Sequence, residues 1–299
     1  DQDEKVLEKM KDMERYADFT RVPEKNRQTL AKVSVVLDEY IEEYHLDALA
    51  IRCWNEMETI LRVCPCVLLS ELNERGIATS CEIDLTSAIS MRAMQLTSEQ
   101  PTAVLDWNNN YGEEENKLIL FHCGSCAQSL MTAKGTVTEH KMLAKTDPGS
   151  GWGTNEGRIR PFKTIISNCL IVDGKIKIYA SEAEFTDDPI EEGYFGCAGV
   201  CEIPDMEDKL IRLARGGFKH HTCVGVGHMK EILKEAISAL KSLYKEFGIA
   251  TAYKELRKDP KDRARLEGII ASFGPMQSQF LELTTGKLAD IIEIAIAGE

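Results

Sequence analysis

Between Leu30 and Leu105 short apolar runs alternate with amphipathic stretches, and this alternation restricts the possible fold more than any other feature of the chain. Leu30, Val33, Val36, Leu37, Tyr40, Ile41 and Tyr44 recur every three or four residues, which predicts one apolar face of a helix ending near His45. Residues 48–54 then read as a buried strand, 67–74 as a helix that stops at Gly76, 77–81 as a second strand, and 85–96 as a further helix. A third strand follows Pro101 at Ala103-Val104-Leu105. Strands separated by helices predict a parallel sheet, whose ligands gather at the carboxyl ends of its strands. Glu82 follows one such end, Asp106 another, and a fourth strand, 117–121, leads into His122.

Past His122 the texture changes to glycine-punctuated, strand-like sequence. Thr164–Val172, Asp173-Gly174 and Lys175–Ala180 predict a β-hairpin, and the acidic stretch 182–192 predicts a loop. Gly217 to His228 holds three of the six histidines, His220, His221 and His228, ahead of a helical stripe from Met229 to Tyr244. Beyond Ala250, with Asp259-Pro260 as a helix start, two helices broken near Gly286 are expected. The fold class is therefore α/β: a partial Rossmann-like parallel region over residues 1–100, a β-rich, barrel-like metal and substrate domain over 101–250, and a helical tail over 251–299. The chain opens on Asp1 with a charged helical pattern and no strand before it, which predicts further sequence upstream.

With 299 residues, 43% of them apolar, the chain can bury a large core. Forty-nine acidic against 36 basic residues give a net charge of −13, which argues against nucleic acid as a partner. No apolar run reaches bilayer length and the N-terminus is charged, so no membrane partner and a cytoplasmic location are expected. In that setting the ten cysteines should be reduced thiols packed as small apolar groups. The pairs Cys64/Cys66, Cys123/Cys126 and Cys197/Cys201 lack the spacing of a structural zinc site, while Cys123 and Cys126 leave a dithiol role open.

Carboxylates together with neutral imidazoles suit a hard divalent ion, manganese or magnesium, better than zinc. Side chains alternate along an extended segment, so one of His220 and His221 should reach a given ion; His221 is assigned as ligand and His220 as a substrate contact. Arg52 and Trp54 could floor the substrate site. Structural roles compete with each assignment. Glu82 could sit on the dipole of the following helix, Asp106 could cap the turn into Asn108–Asn110, His122 could be a hydrogen-bonded core histidine, and Arg52 and Trp54 could simply pack at a strand end.

Five pieces, Ala50-Ile51-Arg52-Cys53-Trp54, Cys81-Glu82-Ile83-Asp84, Leu105-Asp106, His122-Cys123-Gly124 and Gly217-Phe218-Lys219-His220-His221-Thr222, occur in an order and spacing that resemble the L-fucose and L-arabinose isomerase family. The resemblance covers the central and C-terminal parts of that family, about residues 45 to 250 of this chain. It implies a metal-dependent aldose–ketose isomerase, an intramolecular oxidoreductase of carbohydrate metabolism acting on a free sugar through a cis-enediol. It further implies Mn²⁺ or Mg²⁺ held by Glu82, Asp106 and His221, with both carboxylates exchanging protons with the sugar. His122 matches a position that is a ligand in the arabinose branch and lies near the site in the fucose branch. A homo-oligomer is implied as well, its active site completed by an upstream domain of a neighbouring subunit, or for this chain by a separate one. Asn55 departs from the family, which has proline there. The competing expectation is a non-catalytic sugar-binding or interaction protein on a truncated isomerase scaffold; a metal-dependent hydrolase, or a thiol redox protein using Cys123 and Cys126, comes third.

Overall fold

The computed structural model describes residues 4–53, 56–172, 175–191, 194–227, 276–277 and 282–283. The chain divides into two compact units, residues 1–169 with 178–233, and residues 170–177 with 234–299. Within the second unit the described secondary structure includes a short antiparallel pair, Met276–Gln277 with Glu282–Leu283. The helical stripe expected from Met229 and the two expected tail helices lie outside the described residues, as do Trp54, Asn55, the Asp173-Gly174 turn and His228.

The first unit begins with helices α1 (Glu4–Tyr16) and α2 (Glu24–Tyr44), which share a core with α3 (Cys66–Glu74) through Val6, Met13, Leu30, Val67 and Leu68. The three helices are also tied by charge, because Asp38 of α2 lies 2.6 Å from Lys9 of α1 and 2.7 Å from Arg75 just past α3. Burial alone would raise the Asp38 carboxyl, but the hydrogen bonds from Lys9 and Arg75 outweigh it and hold the group below the usual range. A depressed folded-state pKa gives stability that is present above the unfolded value of about 3.9 and lost as pH falls below it. Asp38→Asn is accordingly expected to cost about 1 kcal/mol at pH 7 and progressively less below pH 4, measured by urea melts across that range.

Strands β1 (Ala48–Ala50) and β2 (Ala78–Ser80) pair in parallel, with α3 between them in sequence and α4 (Leu85–Ser98) after them. The parallel sheet goes no further among the described residues. The strand expected at 103–105 is longer, β3 (Thr102–Asn110), and it leaves the α/β layer to run antiparallel to its neighbours. This corrects the reading of Asp106 as a strand-end residue, since it lies inside β3. Ala103, Val104 and Leu105 are all buried, one face of the strand against a barrel interior and the other against α4. A strand buried on both faces reads as a continuous apolar run whether its sheet is parallel or antiparallel, so periodicity could not separate the two.

The later strands are β4 (Lys117–His122), β5 (Thr136–Glu139), β6 (Trp152–Arg158), β7 (Phe162–Val172), β8 (Lys175–Phe185), β9 (Cys197–Glu202) and β10 (His221–Val226). Their order β4-β3-β10-β7-β8-β9 returns to β4, which pairs with β9 along its full length from Lys117↔Glu202 to His122↔Cys197. Six strands therefore close a barrel, with β6 added in parallel on β9 and β5 on β6. Alternate residues fill the interior: Ala103 and Leu105, Leu118 and Leu120, Ala183 and Phe185, Cys197 and Cys201, and Val224. The stretch 182–185, expected to be loop, belongs to β8 because Ala183 and Phe185 point inward between Glu182 and Glu184. The opposite face of β3 and β10, carrying Val104 and Cys223, lies under α4, and by the same alternation that face presents Asp106 and His221. A fifth helix, α5 (Met206–Arg215), is not among the expected elements, although Glu207 and Asp208 in its first turn and Arg212 and Arg215 in its last suit its dipole.

No helix among the described residues is long and apolar enough to cross a membrane.

Candidate functional site

Cys81, Glu82, Ile83 and Asp84 turn the chain from β2 into α4. Asp84 donates its backbone N–H to the Cys81 carbonyl at 3.0 Å, and both central residues are left-handed, Glu82 at φ 58° and Ile83 at φ 56°. Non-glycine residues in that region are strained, and a β-branched residue such as isoleucine most of all, so two in succession need support. Support comes from Asp84, the N-cap of α4, which accepts from the Ser87 backbone N–H at 2.9 Å and the Thr86 hydroxyl at 3.0 Å. Asp84 also pairs with Lys219 and accepts from His221 Nδ1 at 2.7 Å. Burial opposes the charge on Asp84, but these donors overcome it and keep the carboxyl far below the ordinary range.

The bond to Asp84 orients His221. Its Nδ1 carries the proton, and Nε2 looks into a space flanked by Glu82 Oε2 at 3.6 Å and Asp106 Oδ1 at 3.5 Å. The His221–Asp106 proximity is built by register, because the two residues face each other across β10 and β3. Neither His221 Nε2 nor Asp106 Oδ1 has a hydrogen-bond partner, although both are buried. Buried, unpartnered polar atoms are costly, which marks a place where another group is expected. The electrostatics agree: burial would lower the His221 pKa, yet Asp84, Asp106 and Glu82 together raise it, so the site attracts positive charge. At Asp106 burial dominates and pushes the carboxyl up, against the pull of His221 and His220.

Ligand atoms about 2.1 Å from one ion and at right angles to each other lie about 3 Å apart. The 3.5 and 3.6 Å separations from His221 Nε2 exceed that spacing by about half an ångström, and Glu82 and Asp106 fall in different close groups, so a shared ion would require the two carboxylates to move toward one another. Two overlapping sets of metal-ligating groups share His221, namely Glu82 with His122 and Asp106 with His220.

His122 is 1% exposed, and its ring centroid lies 5.6 Å from that of His221. Burial, reinforced by the nearby His221, depresses its pKa to about 3, so the ring is neutral. Its Nδ1 accepts the backbone N–H of Cys123 at 2.9 Å, which puts the proton on Nε2, a buried atom with no partner. His220, by contrast, is exposed, and its Nε2 also lies 3.5 Å from Asp106 Oδ1. The expectation that His220 and His221 point to opposite sides is not met: their rings are 4.3 Å apart on one side. The reason is that β10 begins only at His221, with a bend at His220, so strand alternation does not govern the pair. Arg52 is exposed and paired with Glu56 at 2.7 Å. Cys123 and Cys126 are not partners of one another: Cys123 Sγ lies 3.3 Å from His140, and Cys126 is fully buried. Asp84 and Lys219 carry no role in the sequence reading, although an Asp directly before a helix start is a readable N-cap signal.

The fold and site together define a six-strand barrel that carries carboxylates and imidazoles on the outer face of β3 and β10. Residues 120–247 match the L-fucose isomerase C-terminal domain, the family that the sequence pieces resemble. Among curated proteins, the sulfoquinovose isomerases of Priestia aryabhattai and Priestia megaterium are each 28% identical over 207 residues, 69% of this chain and 45% of the relative. The sulfoquinovose isomerase of Alkalicoccus urumqiensis is 37% identical over 103 residues, 34% of this chain and 23% of the relative. The chain thus spans less than half the length of the curated relatives it matches.

Proposed function

We propose that this chain carries the metal-binding half of an aldose–ketose isomerase active site, with Glu82, Asp106 and His221 holding one Mn²⁺ or Mg²⁺. The observation that carries the reading is the convergence of His221 Nε2 with two carboxylates at 3.5 and 3.6 Å, its other nitrogen held by Asp84 at 2.7 Å. A bound divalent ion would supply a Lewis acid that steadies neighbouring sugar oxygens. The protein's own groups do the rest. Converting an aldose to a ketose removes a proton from C2 and delivers one to C1, with a second proton passing between O1 and O2. Glu82 and Asp106 each flank His221 Nε2, and burial favours a proton on Asp106, so the pair can share this traffic through an enediol. The protonated Nε2 of His122 is a donor suited to a sugar oxygen beside the ion; direct ligation would require the opposite tautomer, with its Nδ1 proton facing the Cys123 N–H. Exposed His220 and Arg52 are in keeping with substrate contacts.

The site opens to solvent at Glu82 and His220, in keeping with a further wall supplied by another segment or another subunit. Exposed Ile83, Leu85, Ile89 and Leu96 on and beside α4 favour a neighbour there. The names of the relatives make a sulfonated hexose a substrate to assay beside L-fucose and L-arabinose.

Manganese at about a hundred times its dissociation constant is expected to stabilise the protein by about 2.7 kcal/mol, read as a rise in melting temperature, and to support ketose formation from one of these aldoses. No thermal response would sink the metal site. A thermal response with no sugar turned over, even with an upstream domain supplied, would favour the sugar-binding alternative.

A further inference from the structure

One pair of thiols beside the site takes no part in metal binding or proton transfer. Cys53 Sγ and Cys81 Sγ are 2.9 Å apart, each held at the exit of one of the two parallel strands. Both are buried, Cys53 at 7% exposure and Cys81 at 2%. A disulfide needs its sulfurs about 2.05 Å apart, so closure requires a movement under about 1 Å. Cys53 is the less buried of the two, so it is the thiol a peroxide reaches first. Two other thiol pairs also touch, Cys64 with Cys66, separated by one residue, and Cys126 with Cys197, both fully buried in the barrel.

We propose that Cys53 and Cys81 form a redox-active dithiol that closes reversibly to a disulfide on exposure to a hydroperoxide, and that closure disturbs the Glu82 turn. The Cys53 thiolate attacks one peroxide oxygen, the O–O bond breaks, and hydroxide leaves with a sulfenic acid on Cys53. The Cys81 sulfur then attacks that sulfur, forming the S–S bond and releasing water with the Cys81 proton. Two thiols have then lost two electrons in all and the peroxide has gained them. A dithiol reductant reverses the exchange. Because Cys81 directly precedes Glu82, and Cys53 accepts from the Glu82 N–H, drawing the sulfurs together pulls on a turn that already holds two left-handed residues. The linkage chemistry stands apart from the isomerase reading; the effect on Glu82 rests on it.

The test is peptide mapping of the intact protein by mass spectrometry after treatment with hydrogen peroxide, without reduction. The expected result is a loss of 2 Da, a cross-linked peptide pair joining Cys53 to Cys81, and full reversal by dithiothreitol. In Cys81→Ser, a sulfenic acid trapped by dimedone on Cys53 is expected in place of the link. Absence of the 53–81 link in the wild-type chain, or a link formed preferentially between other cysteines, would overturn the proposal. The coupling to the site is read separately as the manganese-induced rise in melting temperature, which should shrink in the oxidised protein and return on reduction. An equal rise in both forms, with the link in place, would overturn the coupling while leaving the dithiol.

Discussion

Glu82→Gln is expected to lower the rate of aldose-to-ketose conversion by about a thousandfold while leaving the unfolding free energy within about 0.5 kcal/mol of the wild-type value. The two numbers are separable because of where the residue sits. Its side chain is about a third exposed and lies 3.6 Å from His221 Nε2, too far for a direct hydrogen bond, so the fold leans little on its charge. Gln keeps the shape and the left-handed turn while removing both a proton acceptor and a negative ligand. A thousandfold loss corresponds to about 4 kcal/mol of barrier, within reach of a general acid–base group and beyond what a remote surface charge supplies. Steady-state turnover with saturating manganese is the measurement, with a urea melt beside it. A variant retaining more than a tenth of the rate would remove Glu82 from the chemistry and leave Asp106 to act alone.

How far the sequence discloses this site depends on the range of the interaction concerned. Helices α2 and α4 are legible because apolar residues recur along them every three or four positions, although Val36, Tyr40 and Tyr44 of α2 and Ile89 of α4 are exposed, whereas α3 is buried on almost every side and is legible from the Gly76 that ends it. The Cys81–Asp84 turn is legible as a place but not as a conformation, since nothing local to Glu82 or Ile83 predicts φ near 57°; that conformation is held by Asp84, whose partners Lys219 and His221 come from far along the chain. The nearness of Asp106 and His221 is a matter of strand register in a closed barrel. Register follows from long-range pairing, and the apolar run 103–105 fits a parallel sheet as well as a barrel. Strand alternation fails for His220 because it assumes the strand has already begun. Acidic 182–185 misleads in the opposite way, since charged residues on the outer face of a barrel strand resemble a loop when the inward Ala183 and Phe185 are not weighed.

Asp84→Asn is expected to weaken manganese binding by about 10- to 100-fold and to destabilise the protein by about 2 kcal/mol, a loss in both measurements that Glu82→Gln does not show. The carboxylate does several things at once. It caps α4 through the Ser87 N–H, neutralises Lys219, and accepts the Nδ1 proton of His221 at 2.7 Å. Asparagine offers one acceptor oxygen and one donor amide. If the oxygen stays on the helix cap and Lys219, the amide faces His221 Nδ1, and that nitrogen must become an acceptor. The ring proton then moves to Nε2, where it occupies the lone pair that points between Glu82 and Asp106. If instead the oxygen stays on His221, the half-buried Lys219 ammonium loses its counter-charge and α4 loses its cap. Either arrangement costs stability, and the first also costs the metal. Isothermal titration with manganese, paired with urea melts of the metal-free protein, measures the two losses. Rescue by Asp84→Glu of the stability but not of the manganese affinity would show that the distance to His221, rather than the negative charge alone, sets the ligand. Unchanged manganese affinity in Asp84→Asn would show that His221 needs no orienting partner and that Asp84 serves only the helix cap and Lys219.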